Sequence, residues 1–154
     1  MRVLILSDSH GYMNCLKVIL KKEAACETVF FLGDGGSDFF KMKEELGGRK
    51  LITVKGNCDA ASYNFQIAAE ETICGVHIFA CHGHTFHVKT GLEELKTAAL
   101  SRGASVALYG HTHTPAIDFS DGICFMNPGS VSDACYGTLE LAPNAAPYPA
   151  LHRL

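Results

Sequence analysis

Apolar residues along this chain follow two rhythms, and the switches between them mark out its elements. Arg2–Leu6 is a nearly continuous apolar run, the pattern of a strand buried on both faces. Over residues 12–25 the spacing changes. Met13, Leu16, Ile19 and Leu20 recur at three- and four-residue intervals, which predicts a helix. Thr28–Leu32 returns to the strand pattern. Residues 37–46, SDFFKMKEEL, are helical again, with Ser37 as N-cap and Gly47-Gly48 as stop. Leu51–Val54 is a third strand. A β-α-β-α-β opening predicts parallel strands joined by right-handed crossovers.

The second half is more hairpin-like. Phe65–Ile73 and Val76–Ala80 flank Cys74-Gly75, a turn signal. Residues 89–102 predict another helix, with Leu92, Leu95 and Leu100 on its apolar side. Val106–Tyr109 is a strand. Ala116–Phe119 and Ile123–Met126 flank Ser120-Asp121-Gly122, a second hairpin. Tyr136–Leu141 reads as the last strand. The tail APNAAPYPALHRL either runs over the surface or pairs with a sheet edge. No linker or repeat interrupts the pattern, so residues 1–154 read as a single α/β domain.

Composition narrows the class. With 47% hydrophobic and 19% charged residues, the chain can bury a core and is not disordered. Its apolar stretches are too short to span a bilayer. The run near Met1 falls below the roughly 7–15 residues of a signal segment, so a cytoplasmic protein without membrane association is expected. Net charge is −3 with no Lys/Arg stripe, so strong nucleic-acid binding is not expected. The seven cysteines are scattered without a C-x-x-C pair, which argues against a disulfide framework or a structural zinc knuckle. Cys15, Cys26, Cys74, Cys124 and Cys135 read as small core residues, and Cys81 should pack on the side of its strand opposite His82. Self-association is left open, and a homo-oligomer is compatible.

The chemistry lies at the strand ends. Asp8 and His10 stand in SDSHG, Asp34 in GDGG, Asn57 in GNCD, His82 in CHGH, and His111 and His113 in GHTH. Carboxylate, imidazole and amide oxygen are ligands of divalent metals. Seven such groups exceed one tetrahedral zinc and suit two ions sharing a bridging carboxylate, a device that recurs in phosphoester hydrolysis. In an extended segment residues i and i+2 face one side, so each His-x-His or Asp-x-His pair can reach one site. A lone Asp-x-His is weak, because either residue is commonly a cap or a surface group. GHTH is stronger: two imidazoles between Gly110 and Pro115 have little structural purpose. Strand ends in an α/β sheet share one rim, which lets distant residues converge.

The order Asp-x-His, Gly-Asp, Gly-Asn, His, Gly-His-x-His resembles the calcineurin-like metallophosphoesterases, and GNCD with the short length resembles their small single-domain bacterial and archaeal phosphodiesterases. The resemblance runs from Asp8 to His113 and on into NPGS at 127–130. It implies two packed mixed β-sheets flanked by helices, a four-layer αββα fold. It also implies one ion held by Asp8, His10, Asp34 and His113 and a second by Asp34, Asn57, His82 and His111, with Asp34 bridging. The implied reaction is in-line attack on phosphorus by a hydroxide bridging two divalent ions; Mn²⁺ is expected first, and Ni²⁺, Fe²⁺, Zn²⁺ and Co²⁺ also accept mixed oxygen and nitrogen ligands. The substrate would be a small phosphate ester.

One position departs from the pattern. Many monoesterases of the family carry a histidine after the Gly-Asn asparagine, thought to protonate the leaving group; here Cys58 stands there. All four arginines (2, 49, 102 and 153) lie outside the motifs, so none is evident to grip the second charge of a monoester. Both features tilt the reading to phosphodiesters. Asn57 and Cys58 are therefore the candidate catalytic residues, and His84 joins them as a candidate substrate contact. His77 and His87 read as structural or exposed, and Asp38 as a helix start. Asp59 could orient Asn57 or a ligand histidine, and Asn127 either meets the metal rim or makes an Asn-Pro turn. Two other functions fit the same residues less well: a non-catalytic scaffold of this fold, like a eukaryotic retromer subunit that has lost ligands, and a metal-dependent nuclease.

Overall fold

The computed structural model describes residues 1–154, apart from the side chain of Lys43. Strand β1 (Arg2–Leu6) leads through helix α1 (Met13–Lys22) to β2 (Thr28–Phe31). Two short helices, α2 (Gly36–Lys41) and α3 (Lys43–Leu46), lead to β3 (Lys50–Thr53). The hairpin β4 (Ala68–Ile73) and β5 (Val76–Cys81) follows, then α4 (Glu93–Ser101) and β6 (Val106–Leu108). The hairpin β7 (Ala116–Ser120) and β8 (Ile123–Asn127) precedes β9 (Cys135–Glu140) and β10 (Tyr148–Arg153).

The strands form two five-stranded mixed sheets, ordered β10-β9-β1-β2-β3 and β4-β5-β6-β8-β7. In each, three parallel strands carry antiparallel neighbours: β1, β2 and β3 in the first, β5, β6 and β8 in the second. The alternation of side chains along each strand builds three apolar layers. Val3, Ile5, Phe30 and Leu32 face Ile78, Ala80, Val106, Leu108 and Met126 between the sheets. The intervening residues Leu4, Leu6, Val29 and Phe31 pack under Leu16, Ile19 and Leu20 of α1. Phe79, Cys81, Ala107 and Phe125 pack under Leu95 and Ala99 of α4. This is the expected four-layer arrangement, with both faces of each sheet covered. Truncating a side chain such as Phe79 to alanine would cost about 3–5 kcal/mol.

Four local expectations are corrected. Residues 37–46 are two helices broken at Met42, and Ser37 is not a cap: the helix begins at Gly36 after Gly35, without a capping side-chain bond. The helix expected over 89–102 starts at Glu93, because Gly91 adopts φ 159°. Leu100 is 49% exposed. Leu95 and Ala99 take the sheet-facing stripe, and the next residue is turned about 100° from it. Cys15 and Cys74 are half-buried at the margins of the core, unlike Cys26, Cys124 and Cys135. The tail takes the edge-pairing alternative, with β10 antiparallel to β9 from Tyr148↔Glu140 to Arg153↔Cys135. No helix among the described residues is long and apolar enough to cross a membrane.

Candidate metal centre

The ends of β1, β2 and β3 from one sheet and β5 and β6 from the other open onto one rim, and the predicted ligands gather there. Donor atoms of Asp8, His10 and His113 lie within 4.8 Å of one another, as do those of Asp34, His82 and His111. Asn57 Oδ1 joins the second group at 3.2 Å from His82 Nε2. A third group, His10, Asp34 and Cys58, links the two.

Backbone strain builds the rim. Asp8, His10, Asp34, His111 and His113 all have positive φ, between 43° and 67°. A left-handed L-residue costs roughly 1–2 kcal/mol, and such conformers persist only where surrounding structure enforces them. The ligand pairs therefore face one side through left-handed turns, not through the extended i, i+2 geometry expected from sequence. Cross-links enforce the turns: Asp8 N–H donates to Gly33 O (2.9 Å), His10 N–H to Asp34 O (3.2 Å), and Gly110 N–H to His82 O (3.0 Å). Glycine serves a different purpose here. A Cβ on Gly56 would collide with the Asp34 carboxylate and backbone, and one on Gly110 with Ser7 Oγ.

Two observations test whether this donor set suits cations. Asp8 is fully buried, yet its Oδ1 has no hydrogen-bond partner. It faces His113 Nε2 at 3.1 Å and His10 Nε2 at 3.6 Å, and those two nitrogens lie 3.3 Å apart. His82 Nδ1 sits 2.6 Å from Leu32 O, a contact that requires the proton on Nδ1. Nε2 is then left facing three oxygens: Asn57 Oδ1 at 3.2 Å, Asp34 Oδ2 at 3.4 Å and Asp8 Oδ1 at 4.0 Å. Acceptors that converge on one another need a positive charge between them. Without a metal, burial pulls the His82 pKa down, but the bond to Asp34 and the charges of Asp8 and Asp34 outweigh it and raise it overall, which favours a proton in that place. Burial likewise pushes Asp34 up, and the His82 contact and Cys58 N–H more than reverse it, leaving Asp34 well below the usual carboxylate range. The residues fit divalent cations.

The remaining candidates separate by contact. His84 stands 5.3 Å from the His82 ring and 6.1 Å from that of His111, and its Nδ1 is buried without a partner. Burial, with the nearby His82 charge, lowers its pKa, so it is neutral at pH 7. Cys58 is exposed and takes 3.2 Å contact from Asn57 Nδ2. Asp59 orients neither Asn57 nor a histidine. Its carboxylate accepts the N–H groups of Asp34, Gly35, Gly36 and Gly56 at 2.8–3.0 Å and so fixes two ligand loops by their backbone. Asp38 is more than a helix start: it is buried and accepts Ser9 Oγ (2.6 Å) and Gly11 N–H (2.8 Å), which clamps the Asp8–His10 loop. Asn127 is buried and donates to Gly110 O and Thr112 Oγ1, bracing the GHTH loop from behind. His77 and His87 pair with Glu70 and Glu94 away from the rim. One arginine does approach. Arg153 of β10 lines a cavity of about 520 Å³ together with His113, His152 and Asp133. Its proximity follows from the pairing of β10 with β9 and has no local sequence signal.

Comparison with known proteins adds the lineage. Residues 1–142 match the Calcineurin-like phosphoesterase superfamily domain. The chain belongs to that superfamily. It is 34% identical to the probable metallophosphoesterase YsnB of Bacillus subtilis over 131 residues, covering 85% of this chain and 75% of the relative. It is 30% identical to the phosphodiesterase YfcE of Escherichia coli over 168 residues, covering 91% and 88%. The fold matches that of a structurally characterised archaeal phosphodiesterase with a TM-score of 0.81, at 21% identity and full coverage of both chains. It also matches zinc-complexed Vps29 from Entamoeba histolytica with a TM-score of 0.76, at 19% identity and 99% coverage of each. Family and donor set together make this a metal-dependent phosphoesterase.

Proposed function

We propose that residues 1–154 act as a single-domain phosphodiesterase with two divalent ions, held by Asp8, His10, Asp34 and His113 on one side and by Asp34, Asn57, His82 and His111 on the other. The observation that carries this reading is the buried, unpartnered Asp8 Oδ1, together with the three oxygens facing His82 Nε2. Bound divalent ions supply an acidified water and neutralise charge developing on phosphate oxygens. Mn²⁺ suits the oxygen- and nitrogen-rich set, with Ni²⁺, Fe²⁺, Zn²⁺ and Co²⁺ as alternatives.

The chain's own groups do the rest. Asp59 and Asp38 hold the ligand loops, so the donors are preorganised. Asn57 and Cys58 line the exposed mouth, and His84, neutral and unpartnered at Nδ1, is placed to contact a phosphate oxygen. Cys58 in place of a histidine donor favours a diester, and the one arginine near the rim, Arg153, lines the neighbouring cavity with His113. The substrate is a small phosphodiester, since net charge −3 offers nucleic acid no electrostatic footing. Seven unpaired cysteines fit a reducing, cytoplasmic setting. The test is metal analysis and turnover of a bis-nitrophenyl phosphate by the Mn²⁺-loaded protein. Turnover that needs metal supports the reading, and metal-loaded protein without turnover rejects it. A scaffold role is the second reading, because exposed Phe40 stacks on Phe65 and meets Tyr63 at a tilt beside the rim.

A further inference from the structure

Cys58 stands exposed at the mouth beside the Asp8-side donors. We propose that its thiolate is a ligand of the ion on the Asp8 side, so that the two metal positions are chemically unequal. One position then has nitrogen, oxygen and sulfur donors, and the other only nitrogen and oxygen. This rests on the two-ion reading above.

The geometry is local and specific. Cys58 Sγ, a ring nitrogen of His10 and a carboxylate oxygen of Asp34 lie within 4.8 Å of one another. Metal bonds of about 2.0–2.3 Å to imidazole, carboxylate and thiolate let three donors so placed close on one ion with small side-chain movements. Two contacts hold the sulfur there. The Cys58 N–H donates to Asp34 Oδ1 at 2.7 Å, which locks the residue beside the bridging carboxylate. Asn57 Nδ2 donates to Sγ at 3.2 Å while its Oδ1 points at His82. One amide thus serves both positions, with its oxygen toward one ion and its N–H toward the sulfur of the other. Such outer contacts orient ligands and tune them. A second observation points to a cation at this position: the buried Asp8 Oδ1, which faces His10 and His113, has no hydrogen-bond partner. Cys58 is exposed at the rim, whereas Cys26, Cys81, Cys124 and Cys135 are buried in the core. A bound cation is the strongest local charge and deprotonates a coordinating thiol.

A thiolate changes metal preference. Soft sulfur favours zinc, cobalt and iron over manganese, while the Asn57–His82 position keeps its suitability for Mn²⁺. The Asp8-side position then prefers the softer ion of a competing pair.

Cobalt reads this directly, without turnover. The full chain, stripped and reloaded with Co²⁺, should show a near-ultraviolet sulfur-to-cobalt charge-transfer band. Cys58→Ser and Cys58→Ala should lose the band, and Cys15→Ser, beside His10, should keep it. In competition between Zn²⁺ and Mn²⁺ followed by metal analysis, Cys58→Ser should lose about tenfold in zinc preference at one position. No band in cobalt-loaded wild type, or a band that survives both Cys58 variants, overturns the proposal. Stoichiometry is read separately. Two cobalt ions without the band leave the two-ion reading standing and reject the thiolate, whereas no bound cobalt rejects both.

Discussion

The two halves of the candidate metal centre are built differently. Asp34 and His82 are 3% and 0% exposed at the side chain, while His10 and His113, across from them, are 31% and 41% exposed. The deep half is fixed by protein: His82 by Leu32 O, Asp34 by Cys58 N–H, its loop by three bonds to Asp59, and the Asn57 loop by a fourth from Gly56 N–H. In the shallow half, two histidine nitrogens point at each other and at an orphan carboxylate oxygen. In the deep half both loops and side chains are preorganised, whereas in the shallow half the loop is clamped by Asp38 but the two imidazoles depend on the cation itself. The deep half should hold its geometry without metal, and the shallow half should order when metal arrives.

The largest effect should come from the residue common to both halves. Asp34→Asn keeps the shape and removes the charge. It should cost both ions and several kcal/mol of transition-state stabilisation, about 10³-fold or more in kcat/KM. His113→Ala, by contrast, should lose the shallow ion and retain the deep one. Metal analysis of both variants checks this. Loss of one ion in each case would mean that Asp34 does not bridge.

Next come the glycines, which compare the halves through stability. Gly56→Ala would push a methyl into Asp34 and should destabilise the fold by about 3 kcal/mol or more. Gly11, at φ 85° on the shallow side, has open space where its Cβ would be, so Gly11→Ala should cost only the left-handed strain of about 1–2 kcal/mol. Denaturant unfolding of the metal-free proteins measures both. Equal losses would erase the distinction.

These contrasts show what the sequence reveals and what it conceals. The sheets and helices were legible because Leu4, Leu6, Leu16 and Leu20 repeat at the periods of the elements they form. The seven candidate ligands could be picked out because each follows an apolar strand and stands near glycine, and the fold brings them to one rim. Their local conformation was not. Nothing in SDSHG says that Asp8 and His10 adopt positive φ, since cross-links to Gly33 and Asp34 impose it. Asp59 and Asp38 hid for the same reason. Their partners are backbone N–H groups and a serine from elsewhere in the chain, which become neighbours only in the fold. Arg153 lines a cavity with His113 only because β10 closes the sheet edge.

Acid should separate the halves more gently. His82 has a raised pKa in the metal-free fold, so its stabilising contribution is complete below about 6.5 and lost as pH rises through the raised value. Asp34 has a depressed pKa, so its contribution is present above about 4 and lost as pH falls towards the depressed value. Metal must displace the His82 proton. The stabilisation given by Mn²⁺ should therefore grow as pH rises from about 6 to 8, and activity should fall below about pH 6 and recover partly with excess Mn²⁺. Melting temperatures with and without Mn²⁺ across that range provide the check. An increment independent of pH would show that no proton is displaced.

The smallest expected effect tests whether the shallow rim also sets specificity. An alkyl monoester needs a proton delivered to its leaving oxygen, whereas nitrophenolate leaves without one. Cys58 is a poor donor, because burial and the carboxylates of Asp34, Asp59 and Asp8 push its thiol up. Cys58→His places an imidazole with a pKa of about 6.5 at the same mouth. Well-placed general-acid assistance is worth ~10²–10⁴-fold, but a transplanted ring lacks the contacts that hold Cys58, so a severalfold gain is expected. The gain should appear as a higher kcat/KM for alkyl phosphates relative to a bis-nitrophenyl phosphate, at equal metal content. Equal metal content matters doubly, because the same substitution exchanges one ligand type for another on the Asp8 side. A ratio unchanged from wild type would place diester preference in the walls around Arg153 and Asp133 and remove Cys58 from the choice of substrate.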